Sequence, residues 1–250
     1  MRYIVIFLLQ LIYCAASAQF GIDRKLLRDN HVIEIREYGN EDSTKRLDAV
    51  YFVNDSGLIA RELRVSVDSG KYDTTAIRIG EFDLQNRLIK DTQTYKDIKY
   101  QQANYVATYT YPNKFTTKKI VTGIKGDVKV TIRHHKSISG EVFRIHSKTG
   151  YSVERSRKIG HRKIYRMRYY RFMNPFFNNR KVKYVAHFNG KGQRTAEKGI
   201  FTKRLFRRSR SYLTYAYTSE GLLLKTTSTH TSADTHKKYT YRTEYEYKKR

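Results

Sequence analysis

The feature that most constrains this 250-residue chain is an alternation of apolar and polar side chains with a period of two. From Tyr239 to Lys248, tyrosine and threonine occupy every second position, and threonine or charged residues fill the positions between them. Similar runs are centred on Val65, Val130 and Tyr184. A period of two puts alternate side chains on opposite faces of a strand. One apolar and one polar face is typical of antiparallel strands with a solvated side.

Short turn signals separate these runs. Asn54–Gly57, Asn189–Gly192 and Ser219–Gly221 each end in glycine, which supplies the positive φ of tight turns. A helix is predicted only near residues 23–28. We therefore expect an all-β protein, an antiparallel meander of repeated hairpins that forms a curled or partly closed sheet.

Four turns share one frame, in which an apolar or aromatic lead residue is followed, four positions later, by a residue tolerant of positive φ. The four segments are Val53–Ile59, Phe82–Leu88, Phe188–Arg194 and Tyr217–Leu223. Lead residues recur 29 positions apart, and Tyr111 follows Phe82 by the same interval. A fixed period of this length indicates one hairpin unit repeated along a sheet. Residues 112–187 break the register, so the sequence leaves open whether they continue the array.

The segment Phe82–Leu88, written F-D-L-Q-N-R-L, resembles the unit of the YD-repeat (RHS-like) family of secreted bacterial proteins. That unit runs tyrosine, aspartate, two variable residues, glycine, arginine, leucine. Asn86 stands at the glycine position and is the next best residue at positive φ. The other three segments keep the lead residue and the glycine but lose the aspartate. The resemblance implies a β-sheet of stacked hairpins used for binding or display, with too few units for the closed shells of large members.

The first 18 residues have the pattern of a cleavable signal peptide. Arg2 supplies the positive start, an apolar run follows, and Ala16–Ala18 provides the small residues that a signal peptidase reads. We expect residues 19–250 to form a single all-β domain. Its predicted location is the periplasm, the outer-membrane surface or the extracellular space.

Cys14 is the only cysteine and lies within this leader. The mature chain would therefore have no thiol for a disulfide, a metal site or a nucleophile. No later stretch approaches the ~20 apolar residues of a transmembrane helix, so none is expected after cleavage.

Charge is distributed unevenly. Residues 19–100 hold 14 basic and 15 acidic residues, whereas residues 151–210 hold 19 basic and 2 acidic residues, a net charge of +17. A field of one sign attracts polyanions, and rows of arginine bind phosphate or carboxylate. Interleaved tyrosines would add stacking if the ligand were single-stranded nucleic acid. The residues predicted to bind the polyanion are Arg162, Lys163, Arg166, Arg168, Arg171, Lys203, Arg204, Arg207 and Arg208.

These patterns favour a non-enzymatic exported protein that binds a polyanion: envelope phosphates, polysaccharide or extracellular nucleic acid. A protein partner that adds a strand at an open sheet edge is the other expected partner. The alternative function is an outer-membrane β-barrel, because alternating strands of about ten residues with short turns also fit that class. For the basic segment, the alternative to polyanion binding is a solvated face, with arginine stems covering a tyrosine-rich sheet. The third interpretation of the function is an enzyme whose site is assembled from residues far apart in the sequence.

No catalytic motif is present, neither a nucleophile elbow nor a phosphate-binding loop nor a zinc-protease helix. We predict no catalytic residues and no cofactor. His230–His236 and the pair His134 and His135 have metal-ligand side chains, but adjacent strand residues point to opposite faces. We therefore predict no metal site.

Overall fold

The structure, a computed structural model, describes residues 23–41, 44–68, 71–123, 126–138, 140–147, 150–171, 180–202, 208–231 and 237–250. Within these ranges the chain forms sixteen antiparallel strands and two short helices, which confirms the prediction of an all-β protein.

The predicted leader, with Cys14, lies outside the described residues. The first eight strands are β1 (Val32–Glu41), β2 (Thr44–Val53), β3 (Ile59–Asp68), β4 (Lys71–Phe82), β5 (Leu88–Tyr95), β6 (Tyr105–Asn113), β7 (Thr116–Gly123) and β8 (Val128–Ser137). The second eight are β9 (Gly140–Ser147), β10 (Gly150–Ile159), β11 (Arg162–Arg171), β12 (Arg180–Phe188), β13 (Arg194–Thr202), β14 (Arg208–Tyr217), β15 (Leu223–Thr231) and β16 (Lys238–Lys249).

The helix predicted near the amino end is present as α1 (Arg24–Asp29). Asp23 caps it, accepting a hydrogen bond from the backbone N–H of Lys25 at 2.8 Å, as N-cap side chains do. Leu27 of α1 is buried in a core cluster with residues of β1, β2, β15 and β16. A 3-10 helix (Ile98–Ala103) connects β5 to β6. No helix in the described part of the chain is long and apolar enough to span a membrane.

The sheet closes on itself. Each strand pairs with its neighbours in sequence, and β1 also pairs with β16. That last ladder runs from Val32, opposite Lys249, to Asn40, opposite Arg242. The result is a closed barrel, more complete than the curled or partly closed sheet expected from the sequence. Closure leaves no open edge among the described strands, so the expected strand addition at an edge has no unpaired strand to use.

The barrel wall has one buried and one exposed face, because side chains alternate along each strand. On β2 the buried residues are Ala49, Tyr51 and Val53, and on β10 they include Ser152 and Glu154. The buried face is the inner one, since closure encloses it. The exposed face is therefore the outer surface of the barrel.

The four turns of the repeat frame share one geometry. The backbone φ is positive four positions after each lead residue: 75° at Gly57, 57° at Asn86, 78° at Gly192 and 90° at Gly221. The residue directly after each lead accepts backbone N–H groups of the turn through its side-chain oxygen. These acceptors are Asn54, Asp83, Asn189 and Thr218. The turns that lose the aspartate therefore keep its role, which is to accept these hydrogen bonds.

A tyrosine hydrogen bond explains the repeat period. The Tyr217 hydroxyl on β14 donates to the carbonyl oxygen of Arg194 on β13 at 2.7 Å. The same bond joins Tyr111 to Leu88 at 2.8 Å and Tyr247 to Leu223 at 2.7 Å. In each case the acceptor lies six residues after the preceding lead residue. The repeat period is thus the length of one pair of strands with its turns. The tyrosine hydrogen bond connects each repeat unit to the unit before it.

Residues 112–187 continue the barrel from the end of β6 through β12, which answers the question that their broken register leaves open. Four of their hairpins close with two-residue turns. The closing pairs are Asn113 with Thr116, Ser137 with Gly140, Ser147 with Gly150 and Ile159 with Arg162. The repeat-frame turns hold five residues, as between Val53 and Ile59. The shorter connections remove the 29-residue period but keep the sheet.

Charged side chains on the inner face of β3 to β7 form a paired row. The fully buried Asp91 carboxylate accepts two hydrogen bonds from Arg78, 2.7 Å from Nε and 2.9 Å from Nη2. Glu62 bridges Arg78, at 3.4 Å, and Arg64, at 2.6 Å. On the other side of Asp91, the Lys119 ammonium lies 3.9 Å away. The alternation of sign compensates charges that the inner face would otherwise bury unpaired.

Replacing Tyr217 with phenylalanine removes the bond to Arg194 while keeping the ring. We expect Tyr217→Phe to lower the free energy of unfolding by about 1 kcal/mol, the usual contribution of one hydrogen bond. Thermal and urea denaturation measure the change. Tyr212→Phe on the outer face, where Tyr212 is 41% exposed, is the matched control and should be neutral. Equal effects of the two variants would contradict a role for the bond.

Replacing Asp91 with alanine leaves the Arg78 guanidinium without its closest partner. We expect Asp91→Ala to destabilise the barrel by about 3 kcal/mol or more, as removal of one member of a buried ion pair does. The control is Asp73→Ala, which breaks the exposed pair with Lys96 and should cost less than about 1 kcal/mol. Comparable losses in urea titrations of both variants would show that the inner row does not stabilise the fold.

Candidate functional site

Six consecutive strands each carry an outward basic residue at or next to the strand centre. We name this set the basic girdle: Arg133 on β8, Arg144 on β9, Arg155 on β10, Arg166 on β11, Lys183 on β12 and Lys198 on β13. All six side chains are exposed. They face outward because they alternate with inner residues such as Ile132, Ile145 and Glu154, which are buried.

The strand register brings like charges of the girdle side by side. Arg133 lies directly opposite Arg144, and Arg155 lies opposite Arg166. Arg166 is in turn opposite Lys183. Like charges directly opposite each other on neighbouring strands destabilise a sheet. Ion pairs in the described part of the chain include none of the six girdle residues, so the repulsion has no internal counter-charge.

The acidic residues of this half of the barrel do not reach the outer face. Residues 101–217 contain four acidic side chains. Glu141, Glu154 and Glu197 belong to the inner face, and Asp127 lies in the turn before β8. Glu141 binds Lys163 at 2.6 Å, and Glu197 binds Arg194 at 2.9 Å. The inner face therefore uses the available carboxylates, which leaves the girdle with its full positive charge.

The outer face of the opposite half differs, because several of its basic residues are paired with carboxylates. Four ion pairs lie on β1, β2, β4, β5, β15 and β16. They are Arg36 with Glu34 at 2.7 Å, Lys45 with Glu246 at 2.5 Å, Lys90 with Glu81 at 2.7 Å and Lys225 with Glu244 at 3.3 Å. The positive field is thus stronger on the side of the barrel that carries the girdle.

The structure divides the residues predicted to bind a polyanion. Arg166 and Arg168 lie on the outer face of β11, and Arg162 is exposed at its first position. Lys163 lies on the inner face, where it binds Glu141 and stacks its ammonium over the Tyr165 ring at 5.1 Å. Arg171 ends β11 and Arg208 begins β14, and their side chains are not described. Lys203, Arg204 and Arg207 lie outside the described residues.

Two of the aromatic residues interleaved with this segment face inward. Tyr165 and Tyr184 stack on each other on the inner face, with ring centroids 4.4 Å apart. Other rings lie on the outer face beside the basic girdle. Tyr151 on β10 stacks on His146 of β9 with centroids 6.0 Å apart, and the Lys198 ammonium lies 5.7 Å from the centre of the Tyr212 ring on β14.

Of the six girdle residues, the sequence predicted only Arg166. It missed Arg155, Lys183 and Lys198, and also Arg133 and Arg144, which precede the segment of highest net charge. A signal for them is present, since arginine recurs every 11 residues at positions 133, 144, 155 and 166. Eleven residues is one strand with its turn in this part of the barrel. The register places Arg133 opposite Arg144 and Arg155 opposite Arg166, and it offsets Arg155 from Arg144 by two residues, since Arg144 lies opposite Val153.

The histidine candidates are dispersed. His134 is on the inner face, stacked on Phe143 with centroids 3.9 Å apart, and burial lowers its pKa to about 4. His135 faces outward, beside Thr116. Residues 232–236 of the His230–His236 segment lie outside the described residues. Within the described ranges no three His, Cys, Asp or Glu side chains form a group suited to a metal ion.

Glu154 differs from the other inner carboxylates in having no basic side chain within ion-pair distance among the described residues. It is buried, with 2% of its surface exposed, and accepts a hydrogen bond from the Tyr184 hydroxyl at 2.7 Å. Burial raises the pKa of this carboxyl, and the tyrosine bond offsets only part of that effect. The folded protein therefore holds the proton at a pH where the unfolded chain has released it.

Comparison with known proteins gives a fold but no family. No model of a known protein family matches the chain, and no curated protein matches it. A crystal structure of a porin-like protein from Bacteroides uniformis is similar, with a TM-score of 0.56 and 12% identity over 88% of this chain and 97% of that chain. A porin-like protein from Bacteroides vulgatus gives a TM-score of 0.44 with 9% identity, over 88% and 99% of the two chains.

The first likeness shows a shared porin-like barrel fold and, at 12% identity, no more than the fold. It agrees with closure of the sheet, so the β-barrel interpretation is favoured over an open array of hairpins. The resemblance to the YD-repeat family stays a prediction, since no family model matches.

The raised pKa of Glu154 makes stability depend on pH. Because the folded state binds more protons, stability falls as pH rises from the unfolded pKa to the folded one. Glu154→Gln keeps the acceptor for Tyr184 and removes the charge. We expect this variant to melt at a higher temperature than the wild type at pH 8 and at the same temperature near pH 4. Thermal melts from pH 4 to pH 8 test this.

The matched control is Glu220→Gln, at an exposed carboxylate that pairs with Lys249. Its melting temperature should follow that of the wild type at every pH. A Glu154→Gln variant that is less stable than the wild type at pH 8 would contradict a raised pKa of Glu154 in the folded protein.

Proposed function

We propose that this protein is an exported β-barrel of the cell envelope that binds polyanions on its outer surface through the basic girdle. The observation that carries the proposal is the row of unpaired, like-charged side chains on six consecutive strands. An external polyanion would supply the counter-charge that the barrel lacks on this side, and arginine binds phosphate, sulfate or carboxylate groups bidentately.

The exported location is a part of the proposal. It is supported by the leader pattern of residues 1–18 and by the porin-like fold. Non-specific attraction of this kind needs no enclosed pocket, because charge on an open surface raises the local concentration of an oppositely charged polymer.

A membrane-spanning barrel of the outer membrane is the second candidate. It is favoured by the porin-like fold, by strands of 8 to 12 residues and by the charged inner face, which such barrels share. Part of the outer face would suit lipid. On β2 to β4 its outward residues include Val50, Phe52, Leu63, Ile77 and Ile79, of which Ile79 is 49% exposed.

The free-energy cost of placing the girdle in lipid decides between the two candidates. An arginine or lysine facing lipid at the bilayer midplane costs about 2–4 kcal/mol. Six such residues at strand centres would cost about 12 kcal/mol or more, which is comparable to the whole stability of a typical domain. Outward positions of β16 add Arg242, Glu244 and Glu246, which also do not suit hydrocarbon. We therefore favour a barrel that works at an anionic surface or polymer rather than through a bilayer.

The test of the proposed function is polyanion binding across a salt series. The probe is heparin, and the variant carries Arg133, Arg144, Arg155 and Arg166 all changed to glutamine. We expect the wild type to bind with a steep salt dependence. In the variant, the slope of log K against log salt should fall by about 3, because four charged contacts are lost.

The control removes the same charge from the opposite side of the outer face, by changing Arg36, Lys45, Arg242 and Lys248 to glutamine. Its salt slope should stay close to that of the wild type. Equal losses in the two variants would show that net charge, and not the girdle, attracts the polymer. Absence of salt-dependent binding by the wild type would refute the function.

Solubility without detergent distinguishes the proposed polyanion-binding barrel from the membrane-spanning barrel. We expect the purified protein to remain monodisperse without detergent in size-exclusion chromatography. A requirement for detergent, together with insertion into vesicles that resists carbonate extraction, would instead establish the membrane-spanning barrel.

A further inference from the structure

We infer that one end of the barrel docks on an anionic phospholipid bilayer, with four apolar side chains of its hairpins entering the bilayer interface. We name these four side chains the apolar rim: Leu84, Phe115, Ile138 and Ile159. The apolar rim is separate from the basic girdle, so the inference goes beyond the proposed function and does not depend on it.

The apolar rim lies at one end of the barrel. In an antiparallel meander, the turns that follow the even-numbered strands all lie at the same end. Leu84 is in the turn between β4 and β5, Phe115 is in the turn between β6 and β7, and Ile138 is in the turn between β8 and β9. Ile159 is the last residue of β10, directly before the next turn at this end. Four consecutive hairpins therefore carry an apolar side chain at the same end.

All four side chains are exposed to water. Leu84 and Ile138 have relative exposures of 104% and 107%, and Phe115 and Ile159 are 49% and 52% exposed. Tight turns are usually built from polar or small residues. A succession of exposed apolar residues at one end is typical of a surface that contacts a partner or a membrane.

The turn geometry does not require leucine at position 84. In the repeat frame, Leu84 is the second residue after the lead residue, where the other three turns have Asp55, Gly190 and Ser219. Elsewhere at this end an apolar turn residue is covered, since Leu222 is buried in the core cluster to which α1 contributes. The fold therefore neither needs Leu84 for the turn nor covers it.

The strand register sets the tips at similar heights. The last residue pair of the ladder between β9 and β10 is two positions from Ile138 and two positions from Ile159. Phe115 lies on the neighbouring hairpin, where its carbonyl oxygen accepts the backbone N–H of Lys136 at 2.8 Å. Leu84 is fully exposed on the next turn along the end of the barrel. A flat surface that meets this end of the barrel can therefore contact all four tips.

The separation of the tips favours a lipid surface over a protein partner. Successive hairpins are two strands apart, so the four tips spread over about 29 Å of the barrel end, with polar turn residues between them. A protein interface has a continuous, fully buried centre that is more apolar than its edge. A bilayer accepts isolated apolar side chains, because lipid surrounds each one at the boundary between headgroups and acyl chains.

Basic residues beside the apolar rim favour an anionic headgroup. Lys114, Lys136, Lys158 and Arg162 lie in or next to three of the four turns, and their side chains are exposed. The Lys114 ammonium lies 5.0 Å from the centre of the Phe115 ring. These three turns contain no acidic residue, and the fourth is neutral because its acidic residue pairs with its arginine. Anionic lipids attract such cations, whose apolar stems can follow the tips while the charges stay in water.

A tryptophan at position 115 tests whether the rim enters lipid. The chain contains no tryptophan, so Phe115→Trp introduces a single fluorescent reporter. With vesicles of phosphatidylglycerol and phosphatidylcholine, we expect its emission to shift to shorter wavelength and to be quenched by brominated lipid. The control is Tyr212→Trp on the outer face, which should show neither effect. A reporter at position 115 that is not quenched would overturn the inference.

Vesicle flotation measures how much the apolar rim contributes to binding. Changing all four rim residues to serine should lower partitioning into the same vesicles about 100-fold or more, because each tip would return from lipid to water. The melting temperature should not change, since the four side chains are exposed. The matched control changes four similarly exposed residues of the outer face to serine and should leave partitioning unchanged: Ile79, Ile200, Tyr212 and Leu224.

The heparin assay separates this inference from the proposed function. The rim variant should keep the salt slope of the wild type for heparin. Loss of vesicle binding in the girdle variant, but not in the rim variant, would overturn the inference and leave the proposed function standing. Vesicle binding that depends on the rim, without salt-dependent heparin binding, would refute the proposed function alone.

Two other outcomes would also overturn the inference. Self-association of the wild type that the rim variant abolishes, with no vesicle binding, would identify a second copy as the occupant of the rim. Quenching of the reporters at both position 115 and position 212, with resistance to carbonate extraction, would establish a barrel that spans the bilayer.

Discussion

The ladder between β1 and β16 is the constraint on which the remaining organisation depends. It joins residues that are more than 200 positions apart and turns a sheet with two equivalent faces into a barrel with an inside and an outside. Buried charges are costly unless they are paired, so closure requires partners for every ionised group on the inner face. Asp91, held by Arg78 and Lys119, meets that requirement. Glu154 has only a tyrosine, and its raised pKa is the consequence.

This requirement sorts the charge of the whole chain. The inner face of β9 to β13 uses Glu141, Glu154 and Glu197, the carboxylates available there, and the outer face keeps basic residues that water can solvate. The protein chain, which has an overall excess of positive charge, thereby folds into a barrel whose positive electrostatic field is strongest on one side. Sorting by face, and not composition alone, is what makes the girdle a candidate binding surface.

The fold and the outer surface point to different environments. The porin-like fold is usually associated with a membrane. The number and pairing of the strands, however, do not prevent arginine from lying at the strand centres on the outer face. The fold determines how the hydrogen bonds close, while the outward residues determine which solvent the barrel tolerates. In this protein the outward residues at the centres of β8 to β13 favour water and anions, whereas those of β2 to β4 include apolar side chains.

The sequence by itself determined the local structure. Alternation predicted the strands, and the lead residues with Gly57, Asn86, Gly192 and Gly221 predicted the turns, because each depends on neighbours a few positions away. Alternation also separates Lys163 from Arg166, but it cannot say which of the two faces is inner. The tertiary structure decided closure, the level alignment of Arg133 with Arg144, and the direction of the tyrosine rings. These features depend on register between strands and on the contact of the two chain ends, and residues far apart in sequence set both.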